Sequence, residues 1–386
     1  MQRVHYISTS LLPSQFANSI HVIHQCCALS KQGCQVVLYA KRAMQDPSDL
    51  NEVVSQSYGA DLSNVKLVTF FKQSSRADAL MIALMSWFHI MLHSWRDMVL
   101  SRNLYAAYIL SLLGRPITYE THDLEFGFRK KLQKFCLTRS RNHVVVISKK
   151  LSEHLASHHE ITLSNVIILH DAAPGGMSSL SRADKDKTLE KIMSGQKIDW
   201  KSFECVAGYF GQLYEGRGID IIEEMARLRP TYLFLIFGGN PADVSRNQEK
   251  SYPNMVFFGH VPNRDARRYQ KSVDALLMPY QRRVSIGIKG HDTAQWMSPM
   301  KLFEYMASGV PLISSDLPVL REVLTHKVNG MLAMPENVQE WVEALDELSQ
   351  NKHSAQCVAQ KAFDDYEAFY TWDRRAASLL KLSSVR

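Results

Sequence analysis

The stretch Ser298-Pro-Met-Lys-Leu-Phe-Glu-Tyr-Met-Ala-Ser-Gly-Val-Pro-Leu-Ile-Ser314 predicts a helix over Lys301–Ser308 and then a short apolar strand over Leu312–Ser314. Pro299 is tolerated in a first helical turn and Ser298 is a good N-cap, so the helix is expected to begin near Pro299. The amides of Met300 and Lys301 then point toward any anion placed at the helix start. Glu304 falls one turn further along the same face, where a carboxylate can grip two vicinal hydroxyls. An amphipathic helix with a surface glutamate reads equally well from these residues alone.

The same helix-then-strand alternation runs through the whole chain. In the first half, strands are expected at Val4–Ser8, Gln35–Ala40, Val65–Phe70, Met98–Ser101, Ile117–Thr121, His143–Ile147 and Val166–Leu169. Helical segments such as Asn18–Lys31 and Asn103–Leu113 lie between them. After His170-Asp-Ala-Ala-Pro-Gly-Gly176 the pattern breaks, and the polar, charged segment Ser178–Lys201 reads as an interdomain connection. Strands resume at Cys205–Tyr209, Tyr232–Phe237, Met255–Phe258, Ala275–Met278, Leu312–Ser314 and Gly330–Ala333. Helices are expected at Gly218–Leu228, Asp265–Ser272, Lys301–Ser308 and Val338–Leu348. Apolar strands separated by helices define parallel sheets covered on both faces. The 386 residues are too many for one ordinary core. The expected architecture is α/β, with two doubly wound Rossmann-like domains facing across a cleft at the carboxyl ends of their strands. The expected boundaries are 1–174, a linker at 175–203, 204–364, and a C-terminal helix at 365–386. That tail reads either as a cap on the second domain or as a strap returning to the first, bent near Trp372.

Composition excludes several classes. Six scattered cysteines form no C-x-x-C pair and no zinc-finger spacing, so reduced, buried thiols in a cytoplasmic protein are expected. The N-terminal apolar run is too short for a signal peptide. The longest apolar run, Ala79–Leu92, is shorter than the ~20 residues a spanning helix needs. It reads as a core helix or, with Trp87, Phe88 and Trp95, as a helix resting in a membrane interface. The net charge is +7, and nearly all of it lies in the first half. Arg129–Arg141 holds six basic residues and no acid. This patch reads as a solvated face or as an attraction to anionic lipid at the inner membrane surface. It lacks the interleaved aromatics of a nucleic-acid site, so no nucleic acid is expected.

In the second half, Gly208-Tyr-Phe-Gly-Gln-Leu-Tyr-Glu-Gly-Arg-Gly218 joins a strand to a helix. Glycines 208, 211, 216 and 218 are expected to let backbone approach a ligand, with Arg217 adding a fork of donors: a plausible diphosphate cradle. It is neither a Walker A loop nor a good dinucleotide fingerprint, and such turns are often empty.

Taken jointly, these segments resemble glycosyltransferase family 4, in particular the subset with a Ser-Pro-x-Lys-x-Phe-Glu motif. The resemblance runs from Ser298 through Arg321-Glu322. It extends back through Gly211–Gly218, Phe234-Leu-Ile-Phe-Gly-Gly239, Val256-Phe-Phe-Gly-His-Val-Pro262 and Asp274–Tyr280. Pro13–His21 and Tyr119-Glu-Thr-His-Asp123 are similar more loosely. It implies a GT-B fold and a retaining transfer from a nucleotide-diphosphate-sugar to a glycan or lipid-linked acceptor in surface polysaccharide synthesis. It also implies no required metal or other cofactor. By the resemblance, Glu304 matches the ribose-binding glutamate, Arg217 the diphosphate lysine position, and His122 a histidine near the reacting sugar. Gly211, Gln212, Gly239, Val261, Ser298, Met300 and Lys301 join the donor side. The turn Ser10–Asn18 matches a loop closing over the acceptor side. Arg102, at a strand end, is a further residue expected to face the acceptor.

Two positions depart from the family pattern. Trp296 stands where a second acid is usual, and Gln212 where an arginine is usual; Lys301 is expected to compensate at the phosphates. The mechanism implied has no enzyme nucleophile: the leaving diphosphate deprotonates the acceptor, and catalysis rests on positioning and charge stabilisation. Asp123, Glu125 and Asp292 are acids without an assigned place. The rival readings are an inert GT-B binding module, favoured by Trp296, and a GT-B-fold epimerase, for which the needed acids and bases are not evident.

Overall fold

The structure is a computed structural model. It describes residues 2–14, 16–44, 48–71, 77–93, 97–175, 180–285 and 292–384. Gln15, Trp95, Gly176 and Ser178, which entered the reading above, lie outside the described residues. The chain divides into two units, 1–172 with 371–386, and 173–370.

The first unit holds strands β1 (Arg3–Leu12), β2 (Gln35–Arg42), β3 (Val65–Phe71), β4 (Met98–Ser101), β5 (Thr118–Thr121), β6 (His143–Val146) and β7 (Val166–Ile168). They pair in the order β3-β2-β1-β4-β5-β6-β7, all parallel. The order reverses between β1 and β4, which makes the carboxyl ends of these two strands the switch point where such sheets bind ligands. β1 runs three residues into the expected Ser10–Asn18 turn, with a register shift against β2 between Ile7 and Leu11. The helix Ala17–Lys31 then starts at once. Ser19 Oγ donates to the Leu11 carbonyl (2.9 Å) and pins the short connection.

The second unit holds β8 (Cys205–Phe210), β9 (Tyr232–Phe237), β10 (Met255–Gly259), β11 (Ala275–Met278), β12 (Leu312–Ser315) and β13 (Met331–Ala333), in the order β10-β9-β8-β11-β12-β13, again parallel. Its switch point lies at β8 and β11. Tyr232–Phe237 is buried at every position, as expected of a strand covered on both faces.

Two expectations need correction, and the tail, which the sequence left between two alternatives, takes the strap. The segment read as an interdomain linker is instead the helix Arg182–Met193, capped by Ser181. Leu189, Ile192 and Met193 bury themselves in the core of the second unit. Its many charges sit on the outer face and hide a short apolar stripe. The C-terminal tail breaks between Lys352–Phe369 and Trp372–Ser384, and the last helix packs on Ala17–Lys31 of the first unit. Lastly, the helix of the opening stretch starts at Met300, with Pro299 rather than Ser298 in the cap position and no side-chain cap bond.

Candidate functional site

In the second unit the helix Met300–Ser308 follows a turn that Asp292 organises. Its carboxylate accepts from the amides of Val284 and Ala294, both at 2.9 Å, so this acid is structural. Tyr305 anchors the helix to β8 by accepting from the Phe210 amide (2.9 Å). That fixes the opposite face. Lys301 Nζ lies 3.9 Å from the Tyr209 ring centre and 5.3 Å from that of Tyr280. The ammonium is buried and has no hydrogen-bond partner among the described residues. Burial, then the nearby Arg217 charge, hold its pKa well below the ordinary lysine range. Arg217 donates to the Tyr280 hydroxyl and to the Ser285 carbonyl, both at 3.0 Å. Two cations thus converge on one aromatic-walled place, with no carboxylate paired to either among the described residues.

Glu304 stands one turn from Lys301. Burial raises its pKa to about 6, against the pull of Arg267, Lys301 and Gln270. A small pocket opens beside it, lined by Arg267, Gln270, Lys271, Ala307, Ser308 and the Ala173-Pro174-Gly175 turn. Ser298 is buried and Met300 half-buried just before this helix turn.

The glycine loop differs from expectation. A Cβ at Gly216 would meet the Arg283 carbonyl at 1.8 Å, and one at Gly218 the Pro279 carbonyl at 1.9 Å. Those glycines let the loop pack on the Pro279–Val284 segment and do not admit a ligand. At Gly211 a Cβ would stand 2.5 Å from Lys301 Nζ, so it is the absence of a side chain here that gives the ammonium its place. Gln212 contributes its carbonyl, which accepts from Tyr209 (2.7 Å). Gly239 abuts Leu213, and Val261 packs against the core. Trp296 is half-buried in the turn before the helix, its amide bonded to the Thr293 carbonyl.

In the first unit, Glu120 on β5 is fully buried and gathers three nitrogen-bearing side chains around one oxygen. Its Oε1 accepts from His122 Nε2 (2.7 Å) and from Arg375 Nη2 (2.9 Å), and lies 3.1 Å from His21 Nε2. Burial would raise this carboxyl, but Arg375 and His21 outweigh it and hold the pKa well below the usual range. His21 Nδ1 lies 3.0 Å from Asp171. Arg375 also donates to Gln25 Oε1 (2.6 Å) and the His170 carbonyl (3.1 Å). His122 is partly open at 22% of its side chain. Burial, then Arg102, lower its pKa to about 4, so it is neutral at physiological pH. With Nε2–H committed to Glu120, Nδ1 is left as an acceptor. Arg102 lies in the same group, its charge interacting with Tyr6, Glu120 and Asp171.

His21, Glu120 and His122 offer ligand atoms within 4.8 Å of one another, a spacing a metal could use. Arg375 already supplies positive charge to the same carboxylate oxygen, so the set fits a guanidinium better than an added cation. Asp123 caps the Leu124 amide (2.8 Å) and Glu125 pairs with Arg129, so both are local structural acids. A larger cavity, lined by Arg3, His5, Lys66 and His89, opens at the amino ends of β1–β3, the end opposite to where doubly wound sheets bind ligands.

Sequence reasoning reached His122 but passed over Glu120, His21, Asp171 and Arg375 as a group. Glu120 and His122 share a segment; Arg375 comes from 255 residues away, and no spacing signals that.

The family described as Glycosyl transferases group 1 matches residues 204–351, all within the second unit. Among curated proteins, the chain is similar to the putative teichuronic acid biosynthesis glycosyltransferase TuaH of Bacillus subtilis. They are 26% identical over 152 residues, 39% of this chain and 35% of that one. The chain spans 35% to 60% of the length of the curated relatives it matches. Among solved structures, HepE of Anabaena in complex with UDP and glucose aligns over 100% of both chains, with TM-score 0.74 and 13% identity. Sucrose-phosphate synthase from Thermosynechococcus elongatus aligns over 100% of this chain and 99% of that one, with TM-score 0.73 and 13% identity. Both likenesses concern the fold: two parallel-sheet Rossmann-like domains of the GT-B kind.

Proposed function

We propose that the protein is a retaining glycosyltransferase that moves a sugar from a nucleotide-diphosphate-sugar to a glycan or lipid-linked acceptor in polysaccharide synthesis. It works in the cytoplasm, on an acceptor presented at a membrane face. The observation that carries this reading is the buried Lys301 ammonium beside Arg217, without a hydrogen-bond partner among the described residues, at the start of the helix that carries Glu304. A buried cation without a counterion is costly, and a bound diphosphate removes the cost.

In this reading Lys301, Arg217 and the first-turn amides of Met300 and Lys301 take the diphosphate, where charge builds as the sugar leaves. Glu304 accepts from the two ribose hydroxyls. Gly211, Gln212, Gly239, Val261 and Ser298 shape the donor pocket. His122 accepts a sugar hydroxyl through Nδ1, held in place by Glu120. The departing phosphate takes the acceptor proton on the face it leaves, so the anomeric configuration is kept.

The test is a transfer assay with a panel of nucleotide sugars, with the product anomer read by NMR. The reading expects an α-linked product from an α-linked donor. It also expects losses of about 100-fold or more for Glu304→Ala and His122→Ala. An inverted product refutes the retaining step; no turnover and no donor binding would favour the inert module.

A further inference from the structure

The helix Asp78–His93 has two unlike faces. Ile82, Ala83, Ser86 and Ile90 point inward and are fully buried, and Tyr39 on β2 bonds His89 Nδ1 at 2.5 Å. The helix is thus anchored on its inner side. Outward stand Leu80, Met81, Leu84, Met85, Phe88, Met91 and Leu92, with Phe88 60% and Leu92 66% exposed. A helix of 16 residues is about 24 Å long, and its only acid is Asp78 in the first turn. The next helix in the layer, Leu104–Leu112, adds exposed Leu112 and Leu113 at its end.

Beyond that lies the helix Phe128–Thr138, joined through Tyr105 under Arg129 and Tyr108 against Phe135. It contributes exposed Arg129, Lys131 and Lys134, with exposed Phe126 and Phe128 at its start and exposed Arg139 and Arg141 just past its end. No helix among the described residues is long and apolar enough to cross a membrane.

From this arrangement we infer that the outer face of these three helices docks on an anionic phospholipid bilayer. The apolar helix lies in the headgroup plane and the basic helix meets the lipid charges. Charge decides between occupants. A two-fold dimer in which the basic helices meet would set their lysines and arginines against like charge, and one in which they do not would leave those cations without an acidic partner surface. An anionic surface satisfies both the apolar stripe and the cations. The inference shares with the proposed reaction only the membrane-borne acceptor, and it stands or falls separately from donor chemistry.

The test is flotation of the full chain with phosphatidylglycerol/phosphatidylcholine vesicles and with phosphatidylcholine alone. The expected result is binding to the anionic vesicles at low salt, weakened in high salt. Leu84→Ser/Phe88→Ser and Lys131→Glu/Lys134→Glu, all surface changes, should each cut the partition at least about tenfold. Nucleotide-diphosphate binding by both variants should match the parent, which checks their folding and tests the donor site independently. Absence of binding to anionic vesicles, or binding that both variants retain, overturns the inference. So does a dimer in sedimentation that Leu84→Ser/Phe88→Ser dissolves.

Discussion

The Lys301 ammonium lies 3.9 Å from the centre of the Tyr209 ring, buried and without a hydrogen-bond partner among the described residues. The cation–π contact recovers part of the lost hydration, but not all of it. The site therefore stores a cost in the empty protein. Lys301→Met, which keeps the length of the stem and removes the charge, should raise the melting temperature by about 2–4 °C in the absence of nucleotide. Thermal denaturation measures this, and a fall in melting temperature would mean that the ammonium is satisfied in the free protein.

Glu304 titrates near 6 because burial disfavours its charged form. A carboxylate that accepts from two ribose hydroxyls must be ionised. Donor affinity should therefore be full above pH 7 and fall as the pH drops through about 6, by up to tenfold for each unit below. A nucleotide-sugar is the right probe, since its diphosphate gains no proton in this range. In Glu304→Gln the affinity should be low and the pH step absent. Titration calorimetry at several pH values decides it.

Arg375 and Glu120 form a buried pair, and breaking one side of such a pair costs about 3–5 kcal/mol. Arg375→Met should destabilise the protein by that order and also lower turnover, since Glu120 positions His122. Adding Glu120→Gln to Arg375→Met should recover part of the stability, because no uncompensated carboxylate then remains. Urea unfolding of the two single variants and the double variant measures the coupling.

His5 and His122 are both lowered to about 4, with burial the first cause in each. Their unfolded forms take a proton near 6.5, so between 6.5 and 4 the unfolded state binds more protons. Stability should decline as pH falls through that window, by up to about 3 kcal/mol for each group. His122→Gln should flatten the slope by one proton's worth. A slope unchanged by that substitution would mean that His122 ionises in the folded protein as it does in the unfolded one.

The sheets were legible in the sequence because their strands are short runs of apolar residues between helical segments. Val65–Phe70, Tyr232–Phe237 and Ala275–Met278 carry the same signal in any parallel sheet. The helix Arg182–Met193 was not, because three buried apolar residues among eight charged or polar ones leave a weak period. The helix that carries Lys301 and Glu304 was readable from one contiguous stretch, Ser298–Glu304, with its start displaced by the cap at Pro299. The glycine loop misled: what Gly216 and Gly218 admit is the chain's own Arg283 and Pro279 carbonyls. The Glu120 group was hidden for a different reason. His21, Glu120, Asp171 and Arg375 come from four separated segments, and only the fold brings them together.

The most direct test of the central claim, that Lys301 and Glu304 hold a nucleotide diphosphate, is a thermal-shift titration of the full chain. It would use UDP, GDP, ADP and dTDP, with Lys301→Met in parallel. At least one of them should raise the melting temperature of the parent in a concentration-dependent way, by mass action. The same nucleotide should bind Lys301→Met about 10- to 100-fold more weakly. No shift with any of the four, or an undiminished shift in Lys301→Met, would contradict the central claim.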